Sequence, residues 1–475
     1  MPCEFTIESL RAAVCGETLS THGTEFTGVS TDSRHIDGQI FFALVGEKFD
    51  AHDYLSQAVL GGAKCLIVHR ETPELNELKS QVTVVRVADT LRALQELARD
   101  WRHRLEAKVF GVTGSNGKSS TKEFAATILG TQFKVCVSHG SFNNHWGVPL
   151  TLLSASRGDD VVLVEMGMNH SGELTQLSKI AEPDVVLCTT VGRAHIGNFG
   201  GDQQKVADAK EEIYLANPGA IKIFNTDNEY TMKMFDRVAK RQGPERTLAF
   251  SSFSAGAEVG FRADRMQMSG LHVVGHIKGV KGEATVPVFG RHNVVNLMAA
   301  ASLALVMGME PEKIWQALSL CRGQWGRNQL VKLPNGTTVI FDAYNANPDS
   351  VSMLVRNFFE MSLEAGVKKV AIFGQMLELG ADSPRYHEEL GELVGQSDIA
   401  VVWFFGDDNA AFERGLKRSG FSKTYFISNG YEESLAMKVR SMLNPKDIVV
   451  MKGSRGMRLE RVLLAWDPSF QPLKK

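Results

Sequence analysis

The sequence has few of the features that would place a chain in a membrane, outside the cell or on nucleic acid. No apolar run approaches the roughly 20 residues that are needed to span a bilayer, and the N-terminal MPCEFTIESLRAAV has no basic leader followed by an apolar stretch. The six cysteines form no CxxC pair, which argues against a structural metal site or a disulfide framework. The formal net charge of −2 gives no electrostatic reason to expect nucleic acid as a partner. A cytoplasmic protein is therefore expected.

The length and the order of the apolar segments indicate several α/β domains. A chain of 475 residues is too long for one hydrophobic core, and 43% hydrophobic with 22% charged residues is the balance of a folded protein. From Lys108 onward, short strand-like runs alternate with helical stretches, which predicts parallel sheets covered by helices. The predicted fold class is α/β with three domains: a small first unit, a central P-loop-type parallel sheet and a C-terminal Rossmann-like domain. The predicted boundaries are residues 1–104, 105–322 and 323–475.

A glycine-rich segment, GVTGSNGKSS (residues 111–120), follows a predicted strand and opens a predicted helix at Thr121–Leu129. Glycines let backbone N–H groups point at phosphate oxygens at a helix N-terminus. Lys118 would neutralise the β- and γ-phosphates, and the Ser119 hydroxyl would bind Mg²⁺. Five residues rather than four separate the outer glycines, so the match is to the GKS core, and an ordinary glycine-rich turn is the alternative. The predicted nucleotide contacts are Gly114, Ser115, Asn116, Gly117, Lys118, Ser119 and Ser120.

Three chemically different side chains follow the next predicted strands. Glu165 ends an apolar run, His195 lies a few residues after the next run, and Lys210 lies fifteen residues further on a predicted helix. The carboxyl ends of parallel strands meet at one edge of a sheet, so all three are expected near the phosphate loop. A carboxylate there can hold a hard cation such as Mg²⁺. Each residue also has an ordinary alternative: a strand-end carboxylate, a core or surface histidine, and an exposed lysine paired with Glu211 or Glu212.

A later helix-forming segment, GRHNVVNLMAAASLAL, carries two asparagines. Asn293 and Asn296 are three positions apart, which places both on one helix face. An amide side chain can donate to and accept from the edge of adenine. The alternative is a helix of small residues that packs in the core and is capped by Asn293, which leaves the second asparagine unexplained. Both residues are therefore candidates for contacts to adenine.

These motifs, in this order, resemble the Mur ligases and their relative, folylpolyglutamate synthase. TGSNGKSS is similar to the ATP loop of the family. The resemblance implies that Glu165 and His195 bind a second Mg²⁺ and that Lys210 is carbamylated and supports this metal site. It also implies that Arg327 reaches the γ-phosphate and that Asp342 reaches the ribose. The positions that it makes catalytic are Lys118, His195, Lys210 and Arg327.

Other segments resemble more specialised parts of the same family. YNANPDS (344–350), GQMLELG (374–380) and MKGSRGMRLE (451–460) are similar to the branch that adds a dipeptide, and DSRHIDGQIFFALVG is similar to the segment that binds a UDP-sugar. The basic residues of 451–460 suit a dipeptide carboxylate, with an exposed basic loop as the alternative. Phe341 and Gln375 stand where the family often has acids. The substrate-binding positions implied are Ser30, Ser33, Arg34, Asn143, Asn144, Tyr344, Asn345, Asn347, Lys452 and Arg455.

The resemblance implies an ATP-dependent carboxylate–amine ligase that acts through an acyl phosphate. It implies ATP and Mg²⁺ as cofactors, and UDP-N-acetylmuramoyl-tripeptide and D-alanyl-D-alanine as partners, in the synthesis of peptidoglycan for cell shape and division. A monomer without nucleic acid or a membrane span is expected. Three alternatives stay open: another amino-acid ligase of the family, a folylpolyglutamate synthase-like ligase, and a non-catalytic ATP-binding regulator. The sequence does not identify the third residue of the tripeptide.

Overall fold

The computed structural model describes residues 3–471 except 48, 141, 243–245, 268–269 and 362. The outermost residues of the predicted first and third domains, 1–2 and 472–475, lie outside the described residues. Within the described part of the chain, no helix is long and apolar enough to cross a bilayer.

The first unit alternates short strands and helices. Its elements are β1 (Glu4–Thr6), α1 (Ile7–Val14), β2 (Glu17–Ser20), β3 (Glu25–Thr27), β4 (Val29–Ser30), β5 (Ile40–Phe42), α2 (Leu55–Leu60), β6 (Cys65–Val68), α3 (Pro73–Leu78), β7 (Thr83–Arg86) and α4 (Thr90–Arg104). Strands β1 and β3 pair with each other, and a separate sheet has the order β2-β7-β6-β5-β4. Only β2 runs antiparallel to its neighbour in that sheet.

The central unit contains a large sheet with helices on its faces. Its elements are β8 (Lys108–Thr113), α5 (Lys118–Leu129), β9 (Val135–Val137), α6 (Gly147–Ser154), β10 (Val161–Glu165), α7 (Glu173–Ala181), β11 (Val185–Cys188), α8 (Gln203–Leu215), β12 (Ile221–Asn225), α9 (Glu229–Gln242), β13 (Thr247–Phe250), β14 (Val259–Gln267), β15 (Gly270–Ile277), β16 (Val280–Val286), α10 (Asn293–Val306) and α11 (Pro311–Leu318). The strand order is β16-β15-β14-β13-β12-β11-β8-β10-β9. Strand β8 pairs in parallel with β10 on one side and with β11 on the other, so the chain order reverses there and a crevice opens at the carboxyl ends of these strands.

The third unit is a second α/β sheet. Its elements are β17 (Gln329–Lys332), β18 (Thr338–Asp342), α12 (Pro348–Phe359), β19 (Lys369–Gly374), α13 (Ser383–Gly395), β20 (Val401–Phe405), α14 (Asn409–Arg418), β21 (Thr424–Ser428), α15 (Glu433–Ser441), β22 (Ile448–Lys452) and α16 (Glu460–Trp466). The strand order is β17-β18-β22-β19-β20-β21, and the strands are parallel except β17. The predicted fold class is confirmed: the chain is α/β, with three units that each contain a mostly parallel sheet.

The structure adds details that periodicity alone does not supply. Helix α5 begins at Lys118, three residues before its predicted start, because Gly117 adopts φ = 84° and the chain enters the helix directly from the phosphate loop. The antiparallel strands β14, β15 and β16 extend one edge of the central sheet, and the apolar pattern of the sequence does not predict them. Exposed residues are common in β14 and β16, so these segments lack the continuous apolar runs of the buried strands.

Helix α4 joins the first and the central units through one continuous hydrophobic core. Leu97 and Trp101 of α4 are buried in the same cluster as Leu152 of α6, and Trp101 Nε1 donates to Ala155 O at 2.9 Å. The third unit instead has separate apolar clusters on the two faces of its own sheet. The predicted boundary at residue 104 therefore falls beside a shared core, and both predicted domain boundaries remain predictions.

Candidate functional site

A cleft of about 790 Å³ lies between the central and the third units, at the carboxyl ends of β8, β10 and β11. Its walls include residues of the phosphate loop, of the segment after β11, of the start of α10 and of the third unit. The candidate site residues that line it are Ser115, Asn116, Gly117, Lys118, Ser119, Ser120, Asn143, Glu165, His195, Asn296, Arg327, Asp342, Tyr344, Asn345 and Lys452.

Hydrogen bonds attach the phosphate loop to the segment that follows β11. Ser115 N donates to Thr190 O at 2.7 Å, and Gly192 N donates to Ser115 Oγ at 2.8 Å. Lys118 Nζ donates to Gly114 O at 2.8 Å, so its ammonium lies inside the curve of the loop. Burial lowers the pKa of Lys118, and the nearby Glu165 carboxylate raises it. The loop therefore presents backbone N–H groups and one buried cation to the cleft.

Glu165 lies at the end of β10 and is 1% exposed. Each of its two carboxylate oxygens accepts a hydrogen bond. It accepts from Ser119 Oγ at 2.6 Å and from Asn143 Nδ2 at 2.9 Å. The hydroxyl and carboxylate oxygens are the ligand type that Mg²⁺ prefers, and their separation allows both to bind one ion. The Ser119–Glu165 pair therefore fits a magnesium ion. Asn144 Oδ1, by contrast, accepts from Gly147 N at the start of α6 at 2.9 Å, and Asn144 is absent from the described lining of the cleft.

His195 lines the cleft beside a residue of the third unit. It has φ = 60°, and its Nδ1 lies 2.8 Å from a carboxylate oxygen of Glu378. Within the described residues, no group of three or more His, Cys, Asp or Glu side chains is placed to hold a metal ion. An ion near Glu165 or His195 would therefore need further ligands from phosphate, water or a modified residue.

Lys210 is not the exposed helix lysine of the ordinary alternative. Its side chain on α8 is 1% exposed, and its ammonium has no hydrogen bond or ion pair among the described residues. Burial, with a contribution from the charge of Lys118, lowers the pKa of Lys210 to about 7. Glu211 pairs with Arg237 at 2.6 Å, and Glu212 accepts from Gly172 N at 2.6 Å. Lys210 is thus a buried amine in the neighbourhood of the phosphate loop, and its lowered pKa favours the neutral form.

Helix α10 carries the two asparagines on one face, as the spacing predicts. Asn296 Nδ2 donates to Asn293 Oδ1 at 3.0 Å, and Asn293 Nδ2 donates to Phe289 O at 2.7 Å. Asn296 lines the cleft, whereas Asn293 is absent from the described lining and orients its neighbour. The helix is preceded by His292 rather than capped by Asn293.

The third unit contributes a cluster at the carboxyl ends of β18 and β22. Lys452 is 2% exposed, and its Nζ donates to Asp342 Oδ2 at 2.6 Å and to Asn345 O at 2.9 Å. The guanidinium of Arg327 lies 4.3 Å from the ring centroid of Tyr344. Lys452 is therefore already paired in the wall of the cleft, and its predicted contact with a dipeptide carboxylate stays a prediction.

Several sequence-predicted residues lie away from this cleft. Arg455 pairs with Glu460 at 2.7 Å. In the first unit, Ser30 Oγ accepts from Gly38 N at 2.8 Å, and Ser33 Oγ donates to Gln57 at 3.1 Å. Arg34 pairs with Asp32 at 2.6 Å. Their predicted roles toward a UDP-sugar are not tested by these contacts.

The two departures from the family pattern have local explanations. Phe341 is buried in β18 and packs edge-on against Trp325 with ring centroids 5.2 Å apart, so it is a core residue. Gln375 Nε2 donates to Asp408 Oδ2 at 3.0 Å. Position 375 therefore has a carboxylate beside it, which belongs to Asp408 in the segment after β20.

Sequence reasoning missed several residues that shape the cleft. Lys122 of α5 is fully buried, and its Nζ donates to Ser138 O and Gly140 O, which fixes the segment before Asn143. Arg193 and Asp349 form an ion pair of 2.7 Å across the cleft. The position of Arg193 after strand β11, where site residues collect in parallel sheets, is the signal that could have found it.

We expect Gly117→Ala to weaken ATP binding by roughly 5- to 150-fold, because holding the loop in this strained backbone conformation then costs roughly 1–3 kcal/mol. Gly117 has φ = 84°, and a Cβ there would overlap Asn296 Oδ1. Isothermal titration with ATP measures the change. Gly158→Ala is the matched control, because a Cβ at Gly158 meets nothing within 4 Å. Equal ATP affinities of the two variants would contradict the assignment of the loop.

Comparisons with known proteins agree in all three units. Three family profiles match in order: "Mur ligase family, catalytic domain" at residues 25–102, "Mur ligase middle domain" at 112–304, and "Mur ligase, glutamate ligase domain" at 326–455. The UDP-N-acetylmuramoyl-tripeptide–D-alanyl-D-alanine ligase of Bacillus subtilis (strain 168) is 33% identical over 96% of this chain and 97% of its own length. The enzyme of the same name from Escherichia coli (strain K12) is 31% identical over 97% and 98%. A crystal structure of MurF from Acinetobacter baumannii superposes with a TM-score of 0.85 at 28% identity, covering 97% of this chain and 98% of that one.

Proposed function

The chain belongs to the Mur ligase family and is an ATP-dependent ligase, and from this premise we propose that it joins D-alanyl-D-alanine to UDP-N-acetylmuramoyl-tripeptide. The observation that carries the proposal is the cleft between the central and third units, which combines the phosphate loop, the Ser119–Glu165 oxygen pair and the YNANPDS segment. We place the reaction in the cytoplasm, as a step in the synthesis of peptidoglycan precursors.

The reaction proceeds in two steps. A carboxylate oxygen of the tripeptide attacks the γ-phosphorus of ATP, and the bond to the β-phosphate oxygen breaks, which gives ADP and an acyl phosphate. The amine of D-alanyl-D-alanine then attacks the acyl carbon, loses a proton, and the C–O bond to phosphate breaks, which leaves an amide and inorganic phosphate. Activation is necessary because an unmodified carboxylate has no adequate leaving group.

The side chains of the cleft would act mainly through charge and position. Lys118 and Arg327 offset the charge that develops as the phosphoryl group moves between oxygens. Asn296 would contact adenine and Asp342 the ribose. Because the acyl phosphate hydrolyses in water, the third unit would cover the site during chemistry.

Magnesium would be held by Ser119 and Glu165 at one position and by Glu165 and His195, with a carbamylated Lys210, at another. When bound, Mg²⁺ supplies charge stabilisation to the phosphate oxygens. The fit rests on the Ser119–Glu165 oxygen pair and on the buried Lys210, whose ammonium has no hydrogen-bond or ion-pair partner among the described residues.

Substrate binding would be divided between the units. Ser30, Ser33 and Arg34 would hold the UDP-sugar in the first unit, and Asn143 would lie near the phosphates. Tyr344, Asn345, Asn347, Lys452 and Arg455 would serve the incoming dipeptide or its approach. We propose that the chain acts as a monomer.

The test is release of phosphate from ATP with individual substrates omitted. We expect little release with ATP alone, because acyl phosphate formation needs the tripeptide carboxylate. Sustained turnover should require the UDP-tripeptide, D-alanyl-D-alanine and Mg²⁺ together. Tripeptides with diaminopimelate and with lysine at the third position, run in parallel, identify the preferred substrate.

The alternatives give different outcomes in the same assay. Turnover with a single amino acid in place of the dipeptide would indicate another amino-acid ligase, and turnover with a folate and glutamate would indicate a folylpolyglutamate synthase-like ligase. Equal ATPase rates with and without all acceptors would indicate a regulator. The retention of Lys118, Glu165 and His195 in one cleft favours the ligase.

A further inference from the structure

The contact between the central and the third units is largely polar, unlike the contact of the first unit. The first and central units share a hydrophobic core through α4. The clusters of the third unit consist of its own residues, apart from Phe289 in one of them and the packed Met266 beside it. A polar interface separates at lower cost than an apolar one, so individual hydrogen bonds and ion pairs decide how firmly the third unit sits.

Arg193 and Asp349 make a strong two-point contact across this interface. Asp349 Oδ2 accepts from Arg193 N at 2.5 Å, and Asp349 Oδ1 accepts from Arg193 Nε at 2.7 Å. The two side chains are 31% and 26% exposed, which is more sheltered than an ordinary surface pair. Asp349 lies in the first turn of α12, where the helix dipole favours a negative charge. The guanidinium of Arg193 also lies 5.4 Å from the ring centroid of Tyr386.

The central-domain side of this contact is tied to the phosphate loop. Gly192 N donates to Ser115 Oγ at 2.8 Å, so the residue before Arg193 is held by the loop while Arg193 is held by Asp349. A second bridge runs parallel to the first, because Asn347 Nδ2 donates to Asn116 Oδ1 at 2.8 Å. The start of α12 therefore rests directly on the phosphate loop.

The contact between Arg193 and Asp349 leaves no room for a side chain at Gly192. A Cβ on Gly192 would lie 2.6 Å from Asp349 Oδ2, and the glycine has no positive φ that would itself exclude alanine. The same segment continues to His195, which lies beside Glu378 of the third unit. One short segment thus contacts both the phosphate loop and the third unit, and it also contains His195, a candidate metal ligand.

We propose that Arg193 and Asp349 are positioning residues that lock the third unit over the phosphate loop and so bring Arg327 and Asp342 into working distance of the nucleotide. The inference rests on the proposed function and identifies the contact through which closure acts. The role proposed for the pair is indirect and involves no step of the reaction itself. Its effect passes through the segment between β11 and α8 to Ser115 and His195.

The test is a double-mutant cycle with Arg193→Gln and Asp349→Asn, which remove the charges at nearly constant size. Because small misplacements of reacting groups reduce rates strongly, we expect each single variant to lower kcat about tenfold or more. The KM for the UDP-tripeptide should change little, since its predicted site is in the first unit. The double variant should lose no more than the worse single variant.

A second measurement follows closure without catalysis. Small-angle X-ray scattering with a non-hydrolysable ATP analogue should show compaction of the unmodified protein and less compaction of both single variants and of Gly192→Ala. Lys446→Ala, which removes an exposed ion pair within the third unit at 3.0 Å, is the control and should behave as the unmodified protein. Thermal unfolding of all variants should stay close to that of the control, because the pair joins units and does not build a core.

Independent losses that multiply in the double variant, or unchanged kcat and compaction in both single variants, would overturn the proposed lock. Failure of the proposed function looks different. An unmodified protein that compacts with nucleotide but does not turn over the UDP-tripeptide with the dipeptide would reject the substrate assignment while the scattering cycle still tests the lock.

Discussion

Lys210→Met is expected to lower turnover by roughly 10- to 100-fold, while the protein folds at least as stably as before. A buried ammonium without a partner is costly, whereas a buried neutral amine can react with CO₂. The neutral amine nitrogen forms an N–C bond to CO₂ and releases one proton, which gives a carbamate anion with two oxygen donors. Such an anion is suited to Mg²⁺, which a free ammonium would repel.

The pH dependence of this modification has a definite sign. Reaction with CO₂ consumes the neutral amine, and the pKa of Lys210 is lowered from 10.5 to about 7 by burial. The neutral fraction, and with it the carbamate, should therefore increase as pH rises through about 7. For the unmodified lysine, the unfolded chain binds more protons than the folded protein between about pH 7 and 10.5, so the free energy of unfolding rises with pH there. Methionine removes the cost of the buried charge at neutral pH.

The measurement compares activity, rescue and mass. Lys210→Ala should regain part of its turnover when short carboxylates such as acetate are added, because they can occupy the vacated space. Lys205→Ala, on the same helix but exposed, is the matched control and should stay active. A bare lysine at position 210 in an active, metal-loaded protein would refute the carbamate.

Lys118→Ala is expected to lower kcat by roughly 100- to 1,000-fold, the range found when a single charge-stabilising group is removed. The ammonium lies inside the phosphate loop at hydrogen-bond distance from Gly114 O, next to Glu165 and Arg327. Its charge should matter most when negative charge moves from the γ- to the β-phosphate oxygen. Affinity for the UDP-tripeptide should change little, because the predicted UDP-sugar residues lie in another unit.

Steady-state phosphate release and titration with the UDP-tripeptide separate these two effects. Lys179→Ala, an exposed lysine of α7, is the control for removal of a positive charge from the central unit. Near-normal turnover of Lys118→Ala would remove the phosphate-loop assignment. Loss of UDP-tripeptide binding with retained secondary structure would contradict the proposed division of labour between the units.

Some site residues could be assigned from the sequence because their geometry is local. The phosphate loop lies within ten consecutive residues between a strand and a helix, and Asn293 and Asn296 share a face through helical periodicity alone. The Asn143–Asn144 pair shows where such reasoning ends. Asn143 reaches Glu165 in the cleft, whereas Asn144 accepts from Gly147 N at the start of α6. No local pattern distinguishes the two residues, since both are tolerated in the same turn.

The sequence by itself determined the fold class, the order of the motifs and the chemical character of the cleft, because short apolar runs, glycine positions and helical spacing act over about twenty residues or fewer. Only the tertiary structure decided which side chains are partnered. It leaves Lys210 buried with no counter-charge from the residues that the structure describes, pairs Lys452 with Asp342, and joins Arg193 to Asp349 across 156 positions of the chain. These contacts depend on how two separate sheets approach each other, and periodicity within one segment contains no information about that distance.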